Sequence, residues 1–218
     1  MIYRLLALAI GYGFGLFQTA YIYGRLHHID IRNYGSGNAG TTNMMRTLGK
    51  KAGYITYFGD ILKVILAAVV VHFLIGVNEP ADEVVYICYS GLGAVLGHNF
   101  PFYLGFKGGK GVAAASGLII VFFPYCWYMT VAGYVLFFIL LFKTRYVSFA
   151  SLAAMLSFGM QFIVLNIIGV FGLDFLGQLE SDIIVAGMVA LVFWGHRENI
   201  KRLNNGTERK IKEKRKEN

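Results

Sequence analysis

Long apolar runs alternate along the chain with short polar, glycine-rich segments. The runs cover residues 2–24, 54–76, 84–103, 112–123, 126–142, 147–171 and 183–194. A hydrocarbon core needs about 20 mostly apolar residues per crossing helix. Strands of a membrane barrel would alternate apolar and polar positions over segments of roughly ten residues, whereas these runs are apolar throughout. The pattern predicts an all-α integral membrane protein of about seven transmembrane helices. The fourth run is too short to cross alone, and Pro124 separates it from the fifth.

Composition points the same way. Of the 218 residues, 56% are hydrophobic and 15% are charged, against about 25% charged in soluble domains. Mean hydropathy is +0.57. Two cysteines, Cys88 and Cys126, lie in apolar runs, which excludes a disulfide framework and a cysteine-based zinc site. A net charge of +8 does not indicate nucleic acid here, because the cations sit at the ends of apolar spans. There they report topology and anionic lipid. The first run has no small-x-small cleavage site after it and reads as a retained span.

Charge placement orients the spans. Segments 25–53, 104–111, 143–146 and 195–218 hold 18 of the 20 Lys and Arg, while 77–83 and 172–182 hold only acids. The positive-inside rule puts the first group in the cytoplasm and the N-terminus outside, which requires an odd number of spans. Residues 1–208 are expected to form one polytopic domain, and 209–218 a charged cytoplasmic tail.

Candidate chemistry collects on the cationic side. In the first polar segment, Gly35, Gly37 and Gly40 allow backbone N–H groups to converge on an anion. Ser36, Asn38, Thr41, Thr42 and Asn43 add neutral donors, and Arg46 adds a planar fork suited to phosphate. The second segment carries Lys107-Gly108-Gly109-Lys110-Gly111 into an apolar helix. An unhindered backbone, two ammonium groups and a helix N-terminus suit a phosphate. It is not a Walker A loop, since Leu104 stands where that motif needs glycine and Gly111 follows Lys110. In the third, His196 and Asn199 fall on one helical face, with Glu208 beyond them. Within the second span, Asp60 and Lys63 stand at i, i+3, the spacing of an intramembrane ion pair. His72 is expected to be neutral, structural and without a partner.

The three segments GSGNAGTTNMMR, GHNFPFYLGFKGGKGV and GHRENIKRLNNGTE, in this order, resemble the PlsY family of bacterial membrane acyl-phosphate:glycerol-3-phosphate acyltransferases over residues 5–208. Thr41 and Ala114 depart from the smaller residue and the threonine common at those places. The resemblance implies acyl transfer from an acyl phosphate to the 1-hydroxyl of glycerol 3-phosphate. The products would be lysophosphatidic acid and inorganic phosphate, the first acylation of phospholipid synthesis. It implies a multi-pass protein of the bacterial plasma membrane with its active site facing the cytoplasm. No cofactor, metal, nucleic acid or obligate protein partner is implied.

By the same resemblance Ser36, Arg46, His196 and Asn199 serve catalysis. The resemblance also has Gly108, Gly109, Lys110 and Gly111 bind phosphate and Glu208 serve structure. The residue types themselves make Gly35, Gly37, Asn38, Thr41, Asn43 and Lys107 further phosphate-binding candidates, and Asp60 and Lys63 a structural pair or an outer support of the site. An acyl-CoA enzyme with an H-x-x-x-x-D motif is disfavoured, because no aspartate follows any of the five histidines at that spacing. A transporter of phosphate or another organic anion is the competing reading, but it would place its groups near the midplane of duplicated halves, and no duplication is visible.

Overall fold

The computed structural model describes residues 1–211. Among these there is no strand. The helices are α1 (Ile2–Gly15), α2 (Thr19–Leu26), α3 (Thr41–Val71), α4 (Glu83–Asn99), α5 (Val112–Val121), α6 (Trp127–Thr144), α7 (Val147–Ile167), α8 (Phe175–Gly195) and α9 (Arg197–Asn204). Five stretches are long and apolar enough to cross a membrane: Ile2–Leu26, Lys50–Gly76, Trp127–Thr144, Val147–Ile167 and Phe175–Gly195. Helix α4 has 17 residues and α5 has 10. At 1.5 Å per residue α5 is about 15 Å long, half of a hydrocarbon core of about 30 Å. Of the tail 209–218, residues 212–218 lie outside the described residues.

Several element ends differ from the sequence expectation, each for a local reason. The first apolar run is a broken helix. Side chains meet the free carbonyls at the break: Gln18 Nε2 donates to that of Gly15 and also to those of Gly97 and His98 at the end of α4, and Lys63 Nζ donates to that of Phe17 at 2.8 Å. Irregular backbone at this depth is tolerated where protein buries and satisfies it. Helix α4 stops at Asn99 and not at 103, because the residue before Pro101 is driven out of helical geometry. Helix α8 starts at Phe175 and not at 183, with the Asp174 carboxylate capping it through the Gly177 N–H at 2.7 Å. Helix α7 ends at Ile167, ahead of Gly169 and Gly172, both with positive φ.

Helices α1 and α4 pack through a seam of small residues. A Cβ on Gly11 would stand 2.0 Å from the Ser90 carbonyl oxygen, and one on Gly93 2.1 Å from that of Leu8. Such backbone-close seams replace the missing hydrophobic drive between helices in lipid. An aromatic cluster, with Phe162 and Phe171 stacked at 4.8 Å and Phe122 beside them, fills the end of the bundle around the α5–α6 and α7–α8 turns.

Charges sort to the two ends. At one, Arg4 pairs with Glu180 at 2.7 Å and Asp82 at 3.3 Å. His72 pairs with Glu83 nearby, so the expectation that it has no partner is corrected. At the other end, Arg32 Nη1 donates to the Leu104 carbonyl, Arg46 to that of Arg209, and the Ile211 N–H to that of Arg145. The segments expected to share one side thus meet at one end of the bundle.

Candidate active site

The cationic end opens into a cavity of about 630 Å³. Its mouth is built by three pieces distant in sequence: residues 35–46, the loop before α5, and the stretch from His196 to Arg209.

The first piece is half loop and half helix. Residues 41–48 already belong to α3, which kinks at Gly49 (φ 87°, ψ 177°) before the membrane-length run begins. Asn43 organises the loop from inside. Its Nδ2 donates to the carbonyls of Ile31, Tyr34 and Asn38, and its Oδ1 accepts the Ser36 N–H at 2.9 Å. Asn43 is thereby committed to loop geometry. Ser36 stands exposed at the mouth, as does Arg46 one helical turn beyond Asn43. The hydroxyl of Thr41 is buried with no protein partner. All three line the cavity, with Gly35, Gly37 and Asn38. The N-terminus of α3 opens here, placing unpaired N–H groups and the positive end of a helix dipole at the mouth.

The second piece departs from expectation. Gly108 and Gly109 do not line the cavity, and their N–H groups donate to the carbonyls of Asn99 and His98. These are carbonyls of the last turn of α4, which have no partner within the helix, and that of His98 also accepts from Gln18. A Cβ on Gly108 would lie 2.0 Å from the His98 oxygen, and one on Gly109 2.0 Å from His98 Nε2. The two glycines are needed so that the loop can lie on α4, and their expected role as phosphate donors through N–H is corrected. Lys107 is exposed and, unlike Lys110, does not line the cavity. Lys110 and Gly111 do line it. Gly111 has φ 84°, which turns the chain into the N-terminus of α5.

The third piece hangs on Glu208. Its Oε1 accepts from Asn199 Nδ2 at 2.7 Å and from Ser148 Oγ at 2.9 Å, and its Oε2 accepts from Arg202 Nε at 2.7 Å. Asn199 Oδ1 accepts from Lys110 Nζ, joining the second and third pieces. His196 sits at the break between α8 and α9, 5% exposed, with Nδ1 donating to the Val192 carbonyl at 2.8 Å. That bond fixes the tautomer of the neutral ring and leaves Nε2 as an acceptor. His196 and Asn199 both line the cavity, as their spacing predicts.

Electrostatics favour an anion. Arg46, Lys110, Arg197, Arg202 and Arg209 surround the mouth, and Glu198, Glu208 and Asp60 are the acids on the cavity lining. Burial, then Arg202, Arg46 and Arg197, push the Lys110 ammonium down to about 8, with Glu208 opposing. Burial and the Lys110 cation hold His196 down at about 4. Burial pulls Glu208 upward, but hydrogen bonds from Arg202, Asn199 and Ser148 outweigh it and keep the carboxyl below its usual range. Arg46 is lowered by partial desolvation of its otherwise exposed side chain and by Arg209 and Arg202, with Glu208 opposing. A cationic cluster that lowers its own proton affinity is stabilised by a bound polyanion.

One wall is a buried network behind the second piece. Lys63 Nζ donates to Asp60 Oδ1 at 2.9 Å and to His98 Nδ1 at 2.8 Å, and Thr19 Oγ1 donates to Asp60. The expected Asp60–Lys63 pair is present. Asp60 and His98 reach the cavity, while Lys63 stays behind them. Ser148, Arg202 and His98 are site residues that pattern reading did not single out. Arg202 and His98 fall inside the quoted segments, whereas nothing local distinguishes Ser148. Among the described residues no cluster of His, Cys, Asp and Glu could hold a metal ion.

The family model described as glycerol-3-phosphate acyltransferase matches residues 5–206. The chain is 36% identical over 216 residues to the glycerol-3-phosphate acyltransferase of Alkaliphilus metalliredigens, covering 95% of this chain and 96% of that one. It is 39% identical over 211 residues to the one of Clostridioides difficile, covering 94% of each. The crystal structure of PlsY, an integral membrane glycerol 3-phosphate acyltransferase, in its glycerol 3-phosphate form, superposes with a TM-score of 0.79 at 32% identity over 95% of each chain. The lysophosphatidic acid form gives 0.76 at 31% identity, over 95% of this chain and 94% of that one. The competing transporter reading is set aside, and a multi-pass bacterial membrane enzyme is established. The chain belongs to the PlsY family of glycerol-3-phosphate acyltransferases.

Proposed function

We propose that the donor is an acyl phosphate and that the 1-hydroxyl of glycerol 3-phosphate is acylated at the mouth of this cavity, releasing lysophosphatidic acid and inorganic phosphate. The observation that carries the reading is the joining of a five-cation mouth to an apolar extension between α5, α6 and α7, lined by Ile119, Gly133, Phe137 and Met155. Two phosphates and one acyl chain need that combination. The lysophosphatidic acid form of the PlsY structure is in keeping with the product.

In this reading Arg46, Lys110, Ser36, Thr41 and the N-termini of α3 and α5 hold the phosphates. Gly35, Gly37, Asn38 and Asn43 shape the first loop around them. Gly111 sets the start of α5, and Asn199 with Glu208 fixes the Lys110 ammonium. Asp60 and Lys63 support the wall through His98. The hydroxyl oxygen attacks the acyl carbonyl, and the carbon–oxygen bond to phosphate breaks as phosphate departs. His196 Nε2 accepts from the glycerol and orients it. Burial and the Lys110 cation disfavour a protonated His196 ring in the free site, and in this reading substrate phosphate, with its second pKa near about 6, takes the hydroxyl proton. Positioning and charge stabilisation supply the rest.

The reading keeps seven spans, α1 and α2 together forming the first and the short α5 completing its crossing with the residues on either side of it, with residues 1–208 as one domain. The N-terminus lies outside, and the cavity faces the cytoplasm. A C-terminal reporter active only in the cytoplasm is expected to be on, and a silent one overturns the orientation.

The decisive assay supplies purified protein with labelled glycerol 3-phosphate and either palmitoyl phosphate or palmitoyl-CoA. Lysophosphatidic acid is expected from the acyl phosphate alone. Ser36→Ala is expected to lose about 10²-fold in kcat, the usual effect of deleting one well-placed donor. Product from the CoA ester alone overturns the donor, and product from neither overturns the reaction.

A further inference from the structure

The apolar extension of the cavity has a measurable depth. From Gly111 at the mouth to Ile119 near its end, α5 runs eight residues, about 12 Å at its helical rise. There Thr130 Oγ1 donates to the Ile119 carbonyl at 2.8 Å, both residues buried, and pins α6 onto α5. The cavity lining reaches Ile119 and no residue of α5 beyond it. One leaflet of hydrocarbon is about 15 Å deep, half of a core of roughly 30 Å. A chain of membrane length is therefore longer than the groove and must turn before its end.

Gly133 stands one helical turn along α6 from Thr130. It is buried and lines the cavity, yet a Cβ built on it meets nothing within 4 Å. The space in front of Gly133 is thus interior to the protein and empty of side chains. Beside it, Tyr134 Oη lies 3.1 Å from Tyr57 Oη on α3. This hydroxyl contact bridges the side of the groove between α3 and α6. Both helices present apolar side chains to lipid near it, Phe58 at 63% and Val135 at 50% exposure.

We propose that Gly133 is a determinant of acyl-chain length: the chain passes through the gap at Gly133, turns there, and carries its remaining methylenes out to the bilayer across the Tyr57–Tyr134 bridge. The inference rests on the acyltransferase site being this cavity, and it holds for either class of acyl donor. A side chain at 133 fills the turning space. Short chains that end above it are spared, while long chains lose the burial of the methylenes that would have passed it.

The test is a chain-length series with butyryl and palmitoyl donors, run on the full chain in lipid nanodiscs. Gly133→Leu is expected to keep the butyryl rate within about twofold. It should lower the palmitoyl rate at least about tenfold, roughly the effect of two lost buried methylenes. Gly133→Ala, which adds one methyl and favours the helix, is expected to fall between it and wild type. Gly187→Leu on α8 is the control, because Gly187 is also open to a side chain but lies outside the cavity. Its butyryl-to-palmitoyl ratio should stay that of wild type. An unchanged ratio in both Gly133 variants overturns the proposal, and so does a parallel loss with both donors in Gly133→Ala. A wild-type enzyme that acylates glycerol 3-phosphate from neither chain length brings down the parent reading instead, and is distinguished by that.

Discussion

The activity of this enzyme is expected to fall as pH rises through about 8, because Lys110 must carry its charge to hold phosphate. Burial and the neighbouring Arg202, Arg46 and Arg197 bring its pKa down to about 8. The ammonium is the working form, so it is present below that value and lost above it. The alkaline limb belongs to kcat/KM, which reports the free enzyme. Bound dianionic substrate favours the cation, so the limb in kcat lies at higher pH. Lys110→Arg, charged at every accessible pH, is expected to abolish the alkaline limb even where its different shape lowers the rate. Lys110→Met should lose about 10²- to 10³-fold in kcat, the range for removing one preorganised charge-stabilising group. A limb near 8 that persists in Lys110→Arg assigns the titration to another group. On the acid side, His196 at about 4 remains neutral down to about that pH, so a limb near about 6 comes from substrate phosphate and is expected to survive in His196→Gln.

The second large effect is on stability. Lys63 is 3% exposed and holds together four things: the Asp60 carboxylate, His98, and the carbonyls of Gly15 and Phe17 at the break between α1 and α2. An ammonium can only donate, so His98 accepts at Nδ1 and carries its proton on Nε2, facing Gly109. Lys63→Met leaves Asp60 charged, buried and short of partners. It is expected to destabilise the protein by about 3–5 kcal/mol, the cost of breaking a buried ion pair from one side. The double variant Lys63→Met, Asp60→Asn removes both charges and should recover a large part of that loss. Unfolding of the two variants in detergent gives the comparison. Equal destabilisation of single and double variants contradicts a coupled network. The link to function is mechanical: the Gly108–Gly109 loop hangs on the carbonyls of His98 and Asn99. A shift of the α4 end therefore displaces Lys110.

The apolar runs and the charges at their ends were enough to establish an all-helical membrane protein and to indicate which connecting segments share a side. Both follow from local quantities, the transfer cost of apolar and charged residues and the length of a helix that spans lipid. The three polar segments identified the family, and Ser36, Arg46, Lys110, His196 and Asn199 do line one cavity. Which atoms are free to meet substrate was decided only in three dimensions. Gly108 and Gly109 read as a phosphate cradle, but their N–H groups are taken by α4, a partner that no spacing reveals. Asn43 reads as a donor to substrate, yet its amide is spent on the loop that carries Ser36. Ser148 gained its place from Glu208, sixty residues away, and Gln18 and Lys63 met the carbonyls of a helix break that an unbroken apolar run conceals. A sequence displays what each residue can donate, accept or bury, whereas the choice among available partners depends on which backbones pack closely enough to touch.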